Sequence, residues 1–283
     1  MAYTQAHNVE LGTSYHRRAL ESRRQIGDRR GIGLSLNSLG LGLLRSHQFA
    51  AAESAFTESL EVFLGLADTQ WPPVIRANLA EVIIGLGRST EAESLISAAL
   101  IAFRERGDHG GEGNALRLLS MVRRRQGDLE GARTAAQQAV SIAQAHHNPM
   151  WEGYWLLELG AAQQLSGDLD GSLASFGQAA ALEHRLGDRT REAQAWDGAG
   201  QVNAQRGNLA TAIGLHAKAA EVFGSHNATW LETTALAHLA FAQKATRDIQ
   251  ANETARRAAE TLSNFTDPDA ETLRAALREL SVE

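Results

Sequence analysis

The 283-residue chain contains no cysteine. Disulfides and thiolate metal sites are therefore excluded, and a reducing, cytoplasmic setting fits the composition. Proline is scarce, with 4 residues, so little interrupts helix propagation. No apolar run approaches the roughly 20 residues that span a bilayer. The opening segment Met1 to His7 has no signal-peptide pattern, and no membrane contact is expected. The net charge of −6 gives no general attraction to nucleic acid. Residues 1–150 hold 16 Lys and Arg against 15 Asp and Glu, and residues 151–283 hold 11 against 18. Unevenly charged solvated faces account for that difference.

What remains is apolar at 43% and charged at 21%, which fits a soluble globular chain and argues against disorder. Ala, Leu, Glu, Arg and Gln dominate, and with so few breakers an all-helical chain is expected. The 26 glycines look out of place until their positions are read.

Those positions recur every 40 residues. A turn signal appears at Gly87-Arg88, Gly127-Asp128-Leu129, Gly167-Asp168-Leu169 and Gly207-Asn208-Leu209, with His47-Gln48-Phe49 and Arg247-Asp248-Ile249 in the same register. Gly or Asn supplies the left-handed residue that ends one helix, and Asp or Asn caps the next. Upstream of each turn lies a pair ending in a small residue: Leu39-Gly40, Leu79-Ala80, Leu119-Ser120, Leu159-Gly160, Ala199-Gly200 and Leu239-Ala240. A recurring small residue predicts close approach of two helix axes. Downstream, Ala52, Ala92, Ala132, Ser172 and Ala212 share one position, and Ser59, Ala99, Ala139, Ala179 and Ala219 another seven residues on. That spacing puts them on one helix face. A second turn closes each unit at Gly27-Asp28, Ala67-Asp68, Gly107-Asp108, His147-Asn148 and Gly187-Asp188. Each unit is thus helix A, turn, helix B, turn. No single hairpin covers its own apolar face, so stacking is required.

The pattern resembles the tetratricopeptide repeat family. The Leu-Gly pair of helix A and both Ala positions of helix B match. Trp196 falls on the family's Trp position, and Phe56 and Phe176 on its Phe position. The match weakens at Ala136, His216 and Arg256, and the proline that closes the family's unit is absent. The usual unit is about 34 residues. A longer unit is similar to the extended repeats in the C-terminal arms of bacterial regulatory ATPases. The resemblance implies an all-α, right-handed superhelical solenoid of antiparallel helix pairs, with A helices lining its concave side. A single domain over 1–283 is expected, with a half-repeat at 9–26 and hairpins at 31–66, 71–106, 111–146, 151–186, 191–225 and 230–264. A capping helix at 268–281 follows, started by Asp267-Pro268 and carrying an apolar stripe of Leu273, Ala276 and Leu280. Residues 9–26 read either as a lone cap or as a helix B whose helix A lies upstream, so an upstream domain packing on residues 9–30 is one expected partner.

Motifs for chemistry are weak. Gly85-Leu86-Gly87-Arg88-Ser89-Thr90 lacks the Lys and the preceding strand of a phosphate loop. Gly110-Gly111-Glu112-Gly113 lacks the strand of a dinucleotide site. Adjacent His146-His147 do not suit one metal, and His216 reads as a packed histidine in the Phe position. No acid/base dyad, catalytic residue, cofactor or metal is expected. The resemblance instead implies binding on the inward side of helix A. There the register places Asn114, Arg117, Met121 and Arg124 in one unit, and Tyr154 and Gln164 in the next. Gln194, Asp197 and Gln201 follow in the third, and His238 in the fourth. Arg117 and Arg124 beside Tyr154 suggest a groove for an acidic or C-terminal peptide. Asn37 and Leu41 do not fit the carboxylate clamp of chaperone-binding relatives. Trp71, Trp151 and Trp230 read as staples at helix starts, or else as anchors at one rim. The favoured function is a protein- or peptide-binding scaffold in a larger bacterial regulator. The alternatives are a small-molecule receptor using Tyr154, Trp155 and Trp196, and an enzyme on a helical scaffold.

Overall fold

Left-handed backbone punctuates this chain every 20 residues. In the computed structural model, which describes residues 9–282, φ is positive at Gly27, His47, Ala67, Gly87, Gly107 and Gly127. The series continues at His147, Gly167, Gly187, Gly207, Asn227 and Arg247. Each such residue reverses the chain with the paired bonds of a helix C-terminal motif. At the first turn Asp28 N donates to Arg23 O at 3.0 Å and Gly27 N to Arg24 O at 3.3 Å. At several turns the next residue's side chain then caps the following helix, whereas Gln48, Arg88, Ala228 and the expected cap Asn208 make no such bond. Asp28, Asp108 and Asp168 each accept from a backbone N–H three residues on, at 2.9 Å. Asn148 and Asp188 do the same at 3.1 and 3.0 Å.

The described residues form fourteen helices and no strand. After Asp128 the chain divides into two compact units. The first contains α1 (Val9–Gln25), α2 (Arg29–Arg45), α3 (Phe49–Gly65), α4 (Trp71–Gly85), α5 (Ser89–Glu105) and α6 (His109–Gln126). Each helix packs on the next in sequence, and α4 also touches α2 and α6. Its core is aliphatic and aromatic: Leu36, Phe56, Ile83, Ile96, Phe103 and Leu118 are buried. Close approach was expected at the small residue of the A–B crossing, and Gly40 shows why. A Cβ there would meet the Phe56 ring at 2.7 Å, so ring and backbone touch directly.

Of the six arginines Arg17, Arg18, Arg23, Arg24, Arg29 and Arg30 near the start, three bond within this unit. Arg23 donates to Gly31 O at 2.8 Å and Ser35 Oγ at 2.6 Å. Arg24 pairs with Glu58 at 2.5 Å and Arg30 with Asp68. Arg17 and Arg18 are exposed.

The second unit contains α7 (Leu129–Ala145), α8 (Pro149–Leu165), α9 (Leu169–Leu186), α10 (Arg189–Gln205) and α11 (Leu209–Ser225). It continues with α12 (Thr229–Ala245), α13 (Ala251–Leu262) and α14 (Pro268–Val282). Successive helices again pack in order, and α10 touches both α8 and α12. Here the core is built of small residues, with Ala193, Ala219, Ala235, Ala240 and Ala258 around Phe223, Leu236 and Leu262. The Gly40–Phe56 contact recurs as Gly160 beneath Phe176, 2.9 Å from the ring to a Cβ.

The last hairpin slips. Ile249, in register with buried Phe49, is 95% exposed, and α13 starts only at Ala251. Asp248 accepts from Gln250 N at 2.9 Å and the helix is correspondingly short. The closing helix α14 has Asp267 as its cap, accepting from Ala270 N at 3.1 Å. Its buried face is Ala270, Leu277 and Leu280. Leu273 is half-buried and packs against the same core, and Ala276 is half-buried, so Leu277 joins Leu273 and Leu280 on the inward face.

These turns make a direct prediction. Gly167 has φ +83° and no atom near a Cβ, so Gly167→Ala isolates backbone strain. It should lower stability by about 1 kcal/mol. Ala67 has φ +53°, and Ala67→Gly should shift stability upward by a smaller amount, because glycine also adds unfolded-state entropy. Urea denaturation of both variants measures the two signs.

Candidate functional site

Along α2 and α4, Asn78 Nδ2 donates to Asn37 Oδ1 at 3.0 Å. The two positions are separated by one repeat plus one residue, the offset that brings adjacent A helices side by side. Further along, Arg117 on α6 donates to Glu81 Oε1 on α4 at 3.0 Å. It also reaches Asn114 Oδ1 at 3.1 Å and Met121 Sδ at 3.1 Å. Its side chain is only 6% exposed, against 29% for Glu81. Arg117 was expected to offer its charge to a peptide. The structure instead turns it inward, where Asn114, Met121 and Glu81 hold it. Arg124 on the last turn of α6 is half-buried.

In the second unit, Tyr154 on α8 is half-buried and receives the Arg191 guanidinium of α10, 4.4 Å from the ring centroid. Such a cation over a ring face is favourable, more so as water is excluded. Arg191 also lies 3.5 Å from Asp188 Oδ2 and keeps 31% of its side chain exposed. Gln164, Gln194 and Gln201 are half-buried on α8 and α10.

Asp197, His216 and His238 form the densest polar cluster. Asp197 Oδ1 accepts from His216 Nδ1 at 2.6 Å. His238 Nδ1 lies 3.0 Å from Oδ2 and 3.2 Å from Oδ1 of the same carboxylate. Gln201 Nε2 donates to Oδ2 at 3.2 Å. The two imidazole centroids lie 5.3 Å apart with their planes tilted by 44°. His216 is buried and His238 is 27% exposed at its side chain. Burial opposes the charge on Asp197, but His238 and His216 outweigh it and hold its carboxyl far below the usual range. Burial likewise opposes protonation of His238, and the Asp197 charge overcomes it and raises its pKa. Asp197 and His238 had been expected among the inward residues, but not their union. His216 does pack as its Phe position implies, since a Cβ on Gly200 would meet its ring at 2.6 Å. The sequence signal for the cluster was the 41-residue spacing of Asp197 and His238, the same offset that joins Asn37 to Asn78.

A second unforeseen group is Glu183 on α9. It is fully buried, and neither carboxyl oxygen has a hydrogen-bond partner. It stands where other units carry Phe63, Phe103 and Phe223. Its carboxyl lies against Gly153, as Phe63 lies against Gly33 in the same register. Burial pushes its pKa up to about 7, only partly countered by Arg191.

The tryptophans are occupied within the protein. Trp71 stacks on Phe63 at 5.6 Å, Trp151 on Trp155 at 5.5 Å, and Trp230 meets Phe265 edge-on at 5.0 Å. Trp155 is buried. Trp196 is covered by Lys218, 3.4 Å from its ring centroid, and by Arg189 at 5.5 Å. An open depression between α11, α12 and α13, lined by Glu221, Glu232, Leu239 and Arg257, contains none of the expected contact residues.

Comparison with known proteins agrees with this architecture. Residues 73–145 match the tetratricopeptide repeat family. No curated protein sequence matches the chain. A signal transduction ATPase with numerous domains and a tetratricopeptide repeat sensor, from Pyrococcus horikoshii, superposes with a TM-score of 0.62 at 16% identity. That match covers 97% of this chain and 45% of the ATPase. A Rap protein in complex with Competence and Sporulation Factor gives 0.68 at 13% identity, covering 100% and 87%. The apo form of RapI gives 0.72 at 12% identity, covering 91% and 93%. At these identities the likeness is one of fold.

Glu183 yields a prediction with a defined sign. A carboxyl raised from 4.5 to about 7 binds more protons folded than unfolded between those values, so it lowers stability as pH rises through that window. Glu183→Gln removes this term. The variant should exceed the parent by on the order of 3 kcal/mol at pH 8 and converge with it near pH 4.5. Denaturation midpoints of both proteins across that range test it.

Proposed function

We propose that this chain, whose residues 73–145 are tetratricopeptide repeats and whose other helices continue the same fold, is a scaffold that binds a protein or peptide through its A helices. The observation that carries the reading is the Tyr154–Arg191 platform on α8 and α10. An aromatic ring and a guanidinium are stacked at 4.4 Å and both still reach solvent. Tyr and Arg are the residue types that dominate binding energy at interfaces. Stacking fixes both side chains before a partner arrives, so less conformational entropy is lost on binding. Gln194 on α10 adds amide donors and an acceptor suited to an extended main chain.

The scaffold works in our reading as the interaction or sensor region of a larger bacterial regulatory protein, in the cytoplasm and without catalysis of its own. Support comes from likeness of fold to the signal transduction ATPase with a tetratricopeptide repeat sensor, of which this chain covers 45%, and to a Rap protein in complex with Competence and Sporulation Factor. Fold alone does not fix function, so the residues carry the claim. No described helix is long and apolar enough to cross a membrane. A small-molecule pocket around Trp155 is disfavoured because that ring is buried against Trp151.

Affinity capture from the source cell tests the assignment. The Tyr154→Ala, Arg191→Ala double variant should lose roughly tenfold or more of the partner retained by the parent chain. Arg185→Ala, on the exposed end of α9, should retain it. Equal capture by all three proteins would remove this face as the binding surface.

A further inference from the structure

We propose that Asp197, His216 and His238 form a binding site for one divalent transition-metal ion of the zinc type. The three side chains come from α10, α11 and α12, and their donor atoms all lie within 4.8 Å of one another. Both histidines turn Nδ1, not merely a ring face, toward the same carboxylate. Two imidazole nitrogens and one carboxylate oxygen are a donor set that borderline cations favour over magnesium or calcium.

The spacings from each histidine to the carboxylate need little adjustment. Zinc holds nitrogen and carboxylate oxygen at about 2.0–2.2 Å, so tetrahedral donor pairs stand roughly 3.3 Å apart. The distances from His238 Nδ1 to the Asp197 oxygens, 3.0 and 3.2 Å, are already close to that value. The His216 pair at 2.6 Å must open by less than about 1 Å. On binding, the ion replaces the Nδ1 proton, which leaves to solvent or moves to Nε2. The metal then becomes the positive centre that the carboxylate neutralises. Gln201, bonded to Asp197 Oδ2 at 3.2 Å, supplies the outer-shell contact that orients a ligating carboxylate. Among the described residues three protein donors converge, and His238 is the most exposed of them. The fourth position therefore opens on the solvent side of His238, as in zinc sites that keep a water or exchangeable ligand.

The placement of His216 is an independent argument. It occupies a core position filled by Phe56 and Phe176 in other units, over a glycine in the same register. A ring of that shape is all that packing requires. The imidazole adds a nitrogen aimed at a buried carboxylate, and packing does not demand one.

The full chain, stripped with a chelator, is titrated with zinc chloride alone by calorimetry, and with cobalt chloride by visible absorption. The parent should take up one ion per chain at this site and melt at a higher temperature with zinc present. His216→Phe restores the ring that stands at this position as Phe56 and Phe176 in other units, so it should fold and lose roughly a hundredfold or more in affinity. His238→Gln, at a half-exposed position, should weaken binding similarly and guards against a folding failure of the first variant. A His146→Ala, His147→Ala chain should bind as the parent does. No uptake by the parent, or undiminished uptake in folded His216→Phe and His238→Gln chains, would overturn the site.

Discussion

From α1 to α12 each described helix ends on the same local event, a single residue forced into left-handed conformation once per 20 residues. The positive φ values from Gly27 to Arg247 keep that spacing even where glycine is absent, as at His47, Ala67, His147, Asn227 and Arg247. A β-carbon there costs about 1–2 kcal/mol, so the turns persist because the helices they join are held by packing on both sides. The constraint fixes helix length, and helix length fixes which residues cross. With 17 residues in most helices, the small residue of each A helix arrives opposite the ring or methyl of its B helix. Gly40 with Phe56, Gly160 with Phe176 and Gly200 with His216 are three instances of one contact.

That dependence explains what the sequence disclosed. Turn residues and small residues act through their own backbone or through the nearest helix, so a 40-residue comparison finds them without coordinates. The caps at Asp28, Asp108, Asn148, Asp168 and Asp188 belong to the same class. The slip at Ile249 does not. The residue in that register is still apolar, so the pattern alone gave no warning. The closing helix shows the same limit on a smaller scale. Leu273, Leu277 and Leu280 are all apolar, and only the docking angle decides that Leu277 faces inward.

The polar residues of the A helices were legible as a set but not as a network. Register identified Arg117 and Asp197 as inward-facing. What each does depends on an offset of one repeat plus or minus a few residues, which is set by the tilt between neighbouring A helices. Arg117 meets Glu81, 36 residues back, and is thereby removed from the ligand-facing inventory. Tyr154 meets Arg191, 37 residues on, and the pair gains a pre-formed surface. Asp197 meets His238 at 41. One such position in the first unit is thus spent on internal bonding, and the Tyr154–Arg191 pair of the second is the face we propose for recognition.

Glu183 and His216 stand where a repeat of this kind places phenylalanine, and the two polar replacements have been treated differently by the fold. Burying an ionisable group without partners is costly, and Glu183, with both oxygens unpaired, escapes by holding its proton near neutral pH. His216 is given a carboxylate at 2.6 Å, and that carboxylate is given a second imidazole and an amide. A core that only needed filling would accept the first solution at either site. The second requires coordinated choices on α10, α11 and α12, each neutral or unfavourable without the others, because any one partner alone leaves a buried polar group unsatisfied. Such a network is more demanding than the phenylalanine it replaces, and stability does not account for it, since an apolar ring over Gly200 would serve as well. The residue pattern around Asp197 is therefore better understood as a device for holding something at that point than as packing.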